Sequence, residues 1–521
     1  MAGIVMSSGA RSAPERQLQC SIVCIGFMGA GKSTAARSLA GVLGVEAVDV
    51  DRLVEERLGK PIEAVFEQAG EAAFREAEER VTLELLSIPR RQVLALGGGA
   101  VGSERVRAAL AGQLVVWLDV DVDTAWERCR ASKRPLAGER GAFERLYAER
   151  EPLYAALADV TVASERSRTM APVLAALDGV PAGIRILWAT SDSKDYPVYV
   201  GPGLLGFWPA MVEGRRFVVT DTTIARLYGT AFEPLLGRIE MAPGETGKTI
   251  STATSVWREL ARTGVTRADI VVAFGGGVVG DLAGFCAATY QRGIGCVQAP
   301  TTLLAQVDSA YGGKTGIDLP EAKNYVGAYH QPEAVIADID ALRTLPPGEL
   351  AAGYAEVVKT ALIAGGDLWR RVRGGADPVE PEVILGCART KLRIVSRDER
   401  DDGLRQVLNL GHTVAHAIET ATGYAKYRHG EAVALGLLAA LRISEQRELR
   451  EEVLELLVSH GLPSAMADVD PNAVVEATAR DKKRLGTGAV PLVLVEAPGQ
   501  VHAGCTVPAG SLTSAVRELA R

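Results

Sequence analysis

Residues Gly26-Phe27-Met28-Gly29-Ala30-Gly31-Lys32-Ser33, followed by Thr34, fit the spacing G-x-x-x-x-G-K-[ST]. Glycines at these places let successive backbone N–H groups turn toward phosphate oxygens. Lys32 reaches the terminal phosphates, and Ser33 offers a hydroxyl to Mg2+. An acceptor must be held by other side chains. Asp49 and Asp51 stand two apart in AVDVD, which places both at a strand end facing one cleft. One assists Mg2+ through water and the other orients an acceptor hydroxyl. Arg75 follows a glycine turn, Gly97, Gly98 and Gly99 end another strand-like run, Arg134 sits in a polar segment suited to a lid, and Arg150 lies in AEREPLY. Several arginines converging on one small site suit a carboxylated acceptor.

A second constellation begins with histidine. His412 and His416 are one helical turn apart in LNLGHTVAHAIET, and His429 follows 13 residues later, so three of the six histidines fall within 18 residues. Glu356 is an acid within an apolar helical pattern. Two histidines, a carboxylate and an open position suit a catalytic Zn2+, and the spacing leaves open which two histidines ligate. Gly275, Gly277 and Gly280 satisfy G-x-G-x-x-G after a strand-like run, a turn that can take a pyrophosphate on a helix N-terminus. No acid occurs where the ribose partner usually stands, so Asp221, or Glu245 with Lys248, must supply it. Lys314, Lys323, Lys359, Lys391, Lys482 and Lys483, with Arg292 and Arg405, border these segments and suit a phosphorylated, carboxylated substrate.

The elements that position these residues follow from hydrophobic patterning. Short β-like runs (SIVCIGF, QVLALGGG, QLVVWLDV) alternate with helical ones through the first third, the pattern of a parallel sheet covered by helices. The pattern lapses near Asp178, ends in Pro-Ala-Gly, and resumes at IRILWAT. FVVTDTT, IVVAFGGG and GCVQAPTT are further strand–turn units, and from Pro346 onward the sequence is mostly helical. The 521 residues suit three or four domains. With 47% hydrophobic and 23% charged residues the chain reads as globular. A net charge of −7 without a basic tract argues against a nucleic-acid or anionic-membrane partner. Only 12 lysines stand against 45 arginines, which makes the clustered lysines informative. No signal-like segment opens the chain, and seven scattered cysteines read as reduced thiols, so a cytoplasmic location is expected.

FMGAGKST, the D-x-D pair, GEAAFRxxE, LGGGAV, KRPL and REPLY occur in the order seen in shikimate kinase, and residues 20–160 resemble that family. The resemblance implies a P-loop kinase in which Gly29, Ala30, Gly31, Lys32, Ser33 and Thr34 hold the ATP phosphates. Ser33 and Asp49 would serve Mg2+, Arg134 would act at the transferring phosphoryl group, and Asp51, Arg75, Gly98 and Arg150 would hold shikimate. The lid is about three residues shorter than in some relatives.

GETGKT, GGGVVGDLAGF, PTTLLAQVDSAYGGKTG, GAYHQP, LPPGELAAGYAEVVK, LNLGHTVAHAIE and HGEAV resemble 3-dehydroquinate synthase over residues 185–521. That resemblance implies Zn2+ (Co2+ also accepted) on Glu356, His412 and His429, with His416 near the substrate. It implies NAD+ held by Glu245, Lys248, Gly277, Val278, Val279, Gly280, Asp281, Thr301, Thr302, Lys314, Lys323 and the segment Ala341, Leu342, Arg343, Thr344. Asp308, Lys314, Asn324, Lys359, Lys391, Arg405, Asn409, His416 and Lys483 would surround the substrate, with Arg292 reaching a neighbouring subunit of a homodimer. Tyr311 replaces a usually small residue, and a change of loop packing is expected there.

The expected organisation is an extension (1–19), an α/β kinase domain with helices on both sheet faces (20–163), a linker (164–184), an α/β NAD-binding domain (185–345) and a mainly helical metal and substrate domain (346–521). The expected function is bifunctional: 3-phosphorylation of shikimate, and conversion of 3-deoxy-D-arabino-heptulosonate 7-phosphate to 3-dehydroquinate and phosphate. The alternative is a related cyclase or polyol dehydrogenase fused to another small-acid kinase or a nucleotide-sensing module.

Overall fold

Runs of aliphatic and β-branched residues form parallel strands wherever both faces of the run can be covered. The computed structural model describes residues 20–131, 138–485 and 491–520. In the first compact unit (20–188 with 208–212), the strands are β1 (Ile22–Ile25), β2 (Ala47–Asp49), β3 (Val93–Ala95), β4 (Leu114–Asp119), β5 (Val160–Ala163) and β6 (Arg185–Ala189). Their order is β2-β3-β1-β4-β5-β6, all parallel. β1 and β4 are buried along their whole length, as a central strand covered on both faces requires. The run IRILWAT forms β6, pairing Ile186 with Val160 of β5.

The second unit (189–207 and 213–520) carries β7 (Tyr196–Gly201), β8 (Arg216–Asp221), β9 (Gly237–Met241), β10 (Ile270–Gly275), β11 (Gly295–Pro300), β12 (Lys314–Leu319), β13 (Ala322–Tyr329), β14 (Ala334–Asp338), β15 (Leu492–Ala497) and β16 (Gln500–Cys505). A parallel sheet runs β7-β14-β11-β10-β8-β9, and β12–β13 and β15–β16 are antiparallel hairpins. Neither hairpin is evident from the sequence pattern. The core between β8, β10, β11 and helices Ile250–Arg262 and Gly277–Thr289 is apolar, including Phe217, Val256, Leu260, Val271 and Leu282.

Beyond Pro347 the fold is mainly helical, and helices Pro347–Ala364, Pro381–Val395, His412–Ala421 and His429–Ile443 bear the candidate metal and lysine residues. Glycines let these helices touch backbone to backbone. A Cβ at Gly436 would lie 2.0 Å from the carbonyl oxygen of Gly411, and one at Gly430 would lie 1.9 Å from that of Ala352. Five of the seven cysteines are buried and all are free thiols. Among the described residues no helix is long and apolar enough to cross a membrane.

Candidate active sites

In the first unit the turn between β1 and helix Lys32–Leu43 carries Gly26, Gly29 and Gly31 at φ 144°, 78° and 84°, conformations that disfavour any side chain. Lys32 Nζ reaches back across the turn to the Phe27 carbonyl at 3.1 Å. Arg128 donates to the Gly29 carbonyl at 3.0 Å and braces the turn from behind. The aspartate pair departs from expectation. Strand β2 stops at Asp49, which caps helix Val50–Leu58 by accepting from Arg52 N at 3.4 Å, so Asp51 sits in the first helical turn. Strand alternation therefore does not relate the two carboxylates.

Asp51 instead meets Arg75 and Glu78 around the triple glycine. A Cβ on Gly97 would come within 1.9 Å of Glu78 Oε1 and 2.5 Å of Asp51 Oδ1, and one on Gly99 within 2.1 Å of Arg75 Nη1. The glycines thus make room for three charged side chains as much as for a ligand. Arg75 pairs with Glu78 at 2.5 Å and with Glu71 at 3.0 Å, and Arg150 donates to the Gly98 carbonyl at 3.2 Å. Glu78 is 1% exposed and its Oε1 has no hydrogen-bond partner. Burial pushes its pKa up against the pull of Arg75. The sequence reading missed Glu78; its place three residues after Arg75 in FREAE was the available signal. Arg134 lies outside the described residues, as does the side chain of Lys483.

In the second unit three elements converge. Glu356 comes from helix Pro347–Ala364, His412 opens helix His412–Ala421, and His429 opens helix His429–Ile443. Their ligand atoms lie within 4.8 Å of one another. Glu356 Oε1 is 3.6 Å from His412 Nε2 and 3.4 Å from His429 Nε2. Ligands about 2.0–2.1 Å from a tetrahedral Zn2+ are roughly 3.4 Å apart, so these separations fit one ion. Both imidazoles have Nδ1 engaged, His412 with the Leu410 carbonyl at 3.1 Å and His429 with Glu419 at 3.4 Å, which turns each Nε2 inward. Neither Glu356 oxygen has a properly directed hydrogen bond, although Lys359 Nζ lies 2.5 Å from Oε2. A donor set so arranged fits a divalent cation. Glu419, 4% exposed, is a site residue that spacing alone did not reveal. The His416 ring centroid is 5.4 Å from that of His412.

Charges beside this cluster alternate. Lys359 Nζ lies 2.9 Å from Asp308 Oδ2, and Lys391 bonds both Asp308 Oδ1 and, at 2.6 Å, its carbonyl. Burial opposes ionisation of Asp308, but the two ammonium groups hold its carboxyl well below the usual range. Glu356 is held down at about 2, against its burial, chiefly by Lys359. Burial and Lys359 push His412 down to about 3, so it is a neutral donor. Burial works against protonation of His429, yet Glu356 and Glu419 raise it to about 10. Lys314 pairs with Asp401, and Asn409 ends the turn Leu404–Asn409 just before His412. The Arg405 guanidinium bonds the Glu399 and Gly312 carbonyls at 2.7 and 3.0 Å. Tyr311 is fully buried and donates to the Gln306 carbonyl at 2.6 Å, tying down the turn that carries Asp308. Gln291 and Arg292 sit at φ 49° and 69° in the turn Tyr290–Arg292.

The strands β8, β10, β11 and β14 end at Asp221, Gly275, Pro300 and Asp338, the edge at which parallel sheets bind ligands. Helix Gly277–Thr289, carrying Gly277, Val278, Val279, Gly280 and Asp281, begins there beside Thr301 and Thr302, and a Cβ on Gly276 would lie 3.0 Å from Thr302. The cradle fits a pyrophosphate. Lys248 Nζ lies 2.6 Å from Asp281 and 4.0 Å from Glu245. Asp221 is an N-cap, accepting from Thr223 and Ile224 at 2.8 and 3.0 Å. Ala341, Leu342, Arg343 and Thr344 lie in the turn Ile339–Thr344 that follows β14.

These sites define a P-loop phosphotransferase module followed by a unit built for a dinucleotide and a divalent metal. Family models for shikimate kinase match residues 28–178, and those for the N- and C-terminal parts of 3-dehydroquinate synthase match 238–352 and 353–484. A 3-dehydroquinate synthase from Symbiobacterium thermophilum is 43% identical over 59% of this chain and 92% of its own length. One from Halorhodospira halophila is 41% identical over 61% and 94%. A solved 2-deoxy-scyllo-inosose synthase with carbaglucose-6-phosphate, NAD+ and Co2+ is 26% identical, with a TM-score of 0.58 over 64% of this chain and 99% of that one. ValA, a 2-epi-5-epi-valiolone synthase from Streptomyces hygroscopicus with NAD+ and Zn2+ bound, is 27% identical, with a TM-score of 0.57 over 62% and 96%. The chain belongs to the 3-dehydroquinate synthase family, with a shikimate kinase module ahead of it, and is a bifunctional shikimate-pathway enzyme.

Proposed function

We propose a division of labour in which the first unit transfers the γ-phosphoryl group of Mg·ATP to the 3-hydroxyl of shikimate. Lys32 and the N–H groups of Gly29 to Thr34 hold the phosphates, with Ser33 and Asp49 serving Mg2+. Asp51 orients the acceptor hydroxyl, while Arg75 and Arg150 take the carboxylate beside Gly98. Glu78 fixes Arg75 through their 2.5 Å contact.

The second unit converts 3-deoxy-D-arabino-heptulosonate 7-phosphate to 3-dehydroquinate and phosphate. When bound, NAD+ and a Zn2+ or Co2+ ion supply reversible oxidation of the C5 carbinol and polarise its oxygen. Glu356, His412 and His429 hold the metal. Glu245, Lys248, Asp281, Thr301, Thr302 and the turn 341–344 hold the dinucleotide. Lys359 and Lys391, fixed by Asp308, present positive charge to the substrate's anionic groups, with Lys314, Asn324, Asn409 and Lys483 completing the enclosure and Arg405 bracing Gly312. His416, beside the two ligand histidines, moves a proton at its imidazole nitrogen during elimination of phosphate.

The observation that carries the synthase reading is the pair of Nε2 atoms aimed at Glu356 next to the Lys359–Asp308–Lys391 array. Arg292 is assigned to a partner subunit's site, which makes the working form a homodimer, cytoplasmic and acting on small molecules alone. A two-substrate assay on the purified chain tests the reading. Shikimate-dependent ADP formation is abolished by Lys32→Ala with cyclase activity retained. Chelation removes cyclase activity, while kinase activity returns with excess Mg2+. Steady NADH accumulation with the heptulosonate phosphate, or no shikimate-dependent ADP, overturns it.

A further inference from the structure

Lys323, on β13, stands between two carboxylates that belong to different sites. Its Nζ is 3.7 Å from Glu245, on the dinucleotide side, and 3.7 Å from Glu419, the carboxylate that engages Nδ1 of His429. The ammonium also lies 4.5 Å from the centroid of the Tyr424 ring, a cation–π contact. The backbone is bent on both sides to make this meeting. Asn324 takes φ 58°, its N–H bonded to Asp318 at 2.9 Å, which aims the neighbouring Lys323 off the hairpin. Tyr424 takes φ 59°, an uncommon conformation for an aromatic residue, and its N–H returns to the Glu419 carbonyl at 2.8 Å. Strain at Tyr424, and a left-handed turn next to Lys323, are retained only where the surroundings over-determine them.

We infer that the chain Glu245–Lys323–Glu419–His429 couples the dinucleotide and metal sites, with Glu419 positioning His429 and Lys323 transmitting its state to Glu245. The inference rests on the assignment of Glu245 to NAD+ and His429 to the metal. Its physical basis is an ordering cost met once. A metal on His429 Nε2 fixes that ring, the ring fixes Glu419 through Nδ1, and Glu419 fixes the long Lys323 side chain beside Glu245. The dinucleotide then meets a carboxylate already oriented for its ribose hydroxyls. At 3.7 Å the lysine is beyond a tight hydrogen bond to either acid, so it responds to the order of both. Linkage requires the reverse effect: NAD+ tightens metal binding by the same factor.

The test is a pair of titrations on the full-length protein. NAD+ affinity is measured calorimetrically on metal-free and Co2+-loaded protein, and Co2+ affinity from its visible absorbance with and without NAD+. Wild type is expected to bind NAD+ about fivefold or more tightly when loaded, a modest coupling. In Lys323→Met the ratio of NAD+ affinities with and without Co2+ falls to near one, and the ratio of Co2+ affinities with and without NAD+ falls with it. Lys323→Arg, which restores the charge, recovers part of the coupling. Glu419→Ala lowers Co2+ affinity by about tenfold or more, as loss of an imidazole's orienting partner does, and also abolishes the coupling. Wild type that binds NAD+ equally with and without metal, or Lys323→Met that keeps the wild-type ratio, overturns the inference alone. Wild type that binds no NAD+ overturns the functional reading and the inference together.

Discussion

Gly436→Ala adds one methyl group between two helix backbones, and it is expected to disable the metal centre. Gly436 lies inside helix His429–Ile443, where helix propensity by itself makes alanine about 1 kcal/mol better than glycine. The new Cβ would fall 2.0 Å from the Gly411 carbonyl oxygen and 2.9 Å from its carbonyl carbon. Carbon and carbonyl oxygen rest no closer than roughly 3.3 Å, so the two backbones must part by about 1.3 Å. Gly411 caps the helix that His412 opens, so the displacement passes directly to that imidazole. Metal geometry tolerates about 0.2 Å, and misplacement of 1 Å lowers a rate on the order of a hundredfold. The assay is metal content by emission spectroscopy, Co2+ absorbance, and synthase and kinase rates on one preparation. Loss of bound metal and of 3-dehydroquinate formation, with shikimate phosphorylation retained, is expected. A variant that keeps wild-type metal affinity and becomes more stable would show that helix propensity, and not the interhelical approach, governs this position.

Three further outcomes follow from the same geometry. Gly97→Ala sets a Cβ 1.9 Å from Glu78 and 2.5 Å from Asp51, so the shikimate KM should rise by about tenfold or more with the synthase rate unchanged; an unchanged KM would remove those carboxylates from the acceptor site. Lys359→Met leaves the buried Glu356 carboxylate without its ammonium partner and Asp308 with Lys391 alone, which should cost about 3 kcal/mol in urea unfolding of the second unit. Adding Asp308→Asn should recover part of that loss, and strict additivity would refute the pairing. Arg215 and Thr266 hold Asp269 at about 2, below its ordinary 3.8, despite some burial. A carboxyl lowered on folding adds stability above the higher value and loses it as pH falls through the lower. The pair's contribution should therefore be present at neutral pH and fade between about pH 4 and 2. Asp269→Asn should show a lower Tm at pH 7 and a flatter acid profile, which thermal scans over that window would reveal.

Much of the molecule is legible in its sequence because strands buried on both faces read as aliphatic runs, and because glycine turns carry fixed spacings. The P-loop, β10 with its glycine turn, and the helical run beyond Pro346 all lie where patterning predicts them. The strand placement of Asp51 fails because alternation was carried two residues past the end of β2, into a helix capped by Asp49. The β12–β13 hairpin was missed because its turn is short and its outward face is polar and aromatic rather than alternating cleanly. Glu78 and Glu419 were missed for a different reason. Both sit in charged or apolar helical stretches where composition predicts nothing unusual; for Glu78 the spacing from Arg75 was a signal, whereas for Glu419 only its burial, at 4% exposure, marks it.

By itself the sequence determined the chemistry available: a phosphate-gripping turn, a cluster of histidines near one acid, and lysines gathered where the rest of the chain prefers arginine. Covalent spacing fixes distances within a helix, so His412 and His416 were bound to share a face. Spacing cannot fix distances between helices. Those depend on how closely two backbones approach, and here Gly411 against Gly436 and Gly430 against Ala352 bring three helices near enough for His412 and His429 to aim at Glu356. Tertiary structure alone decided which imidazoles face the carboxylate, because a metal site is selected by ångström-scale geometry that only packing can set.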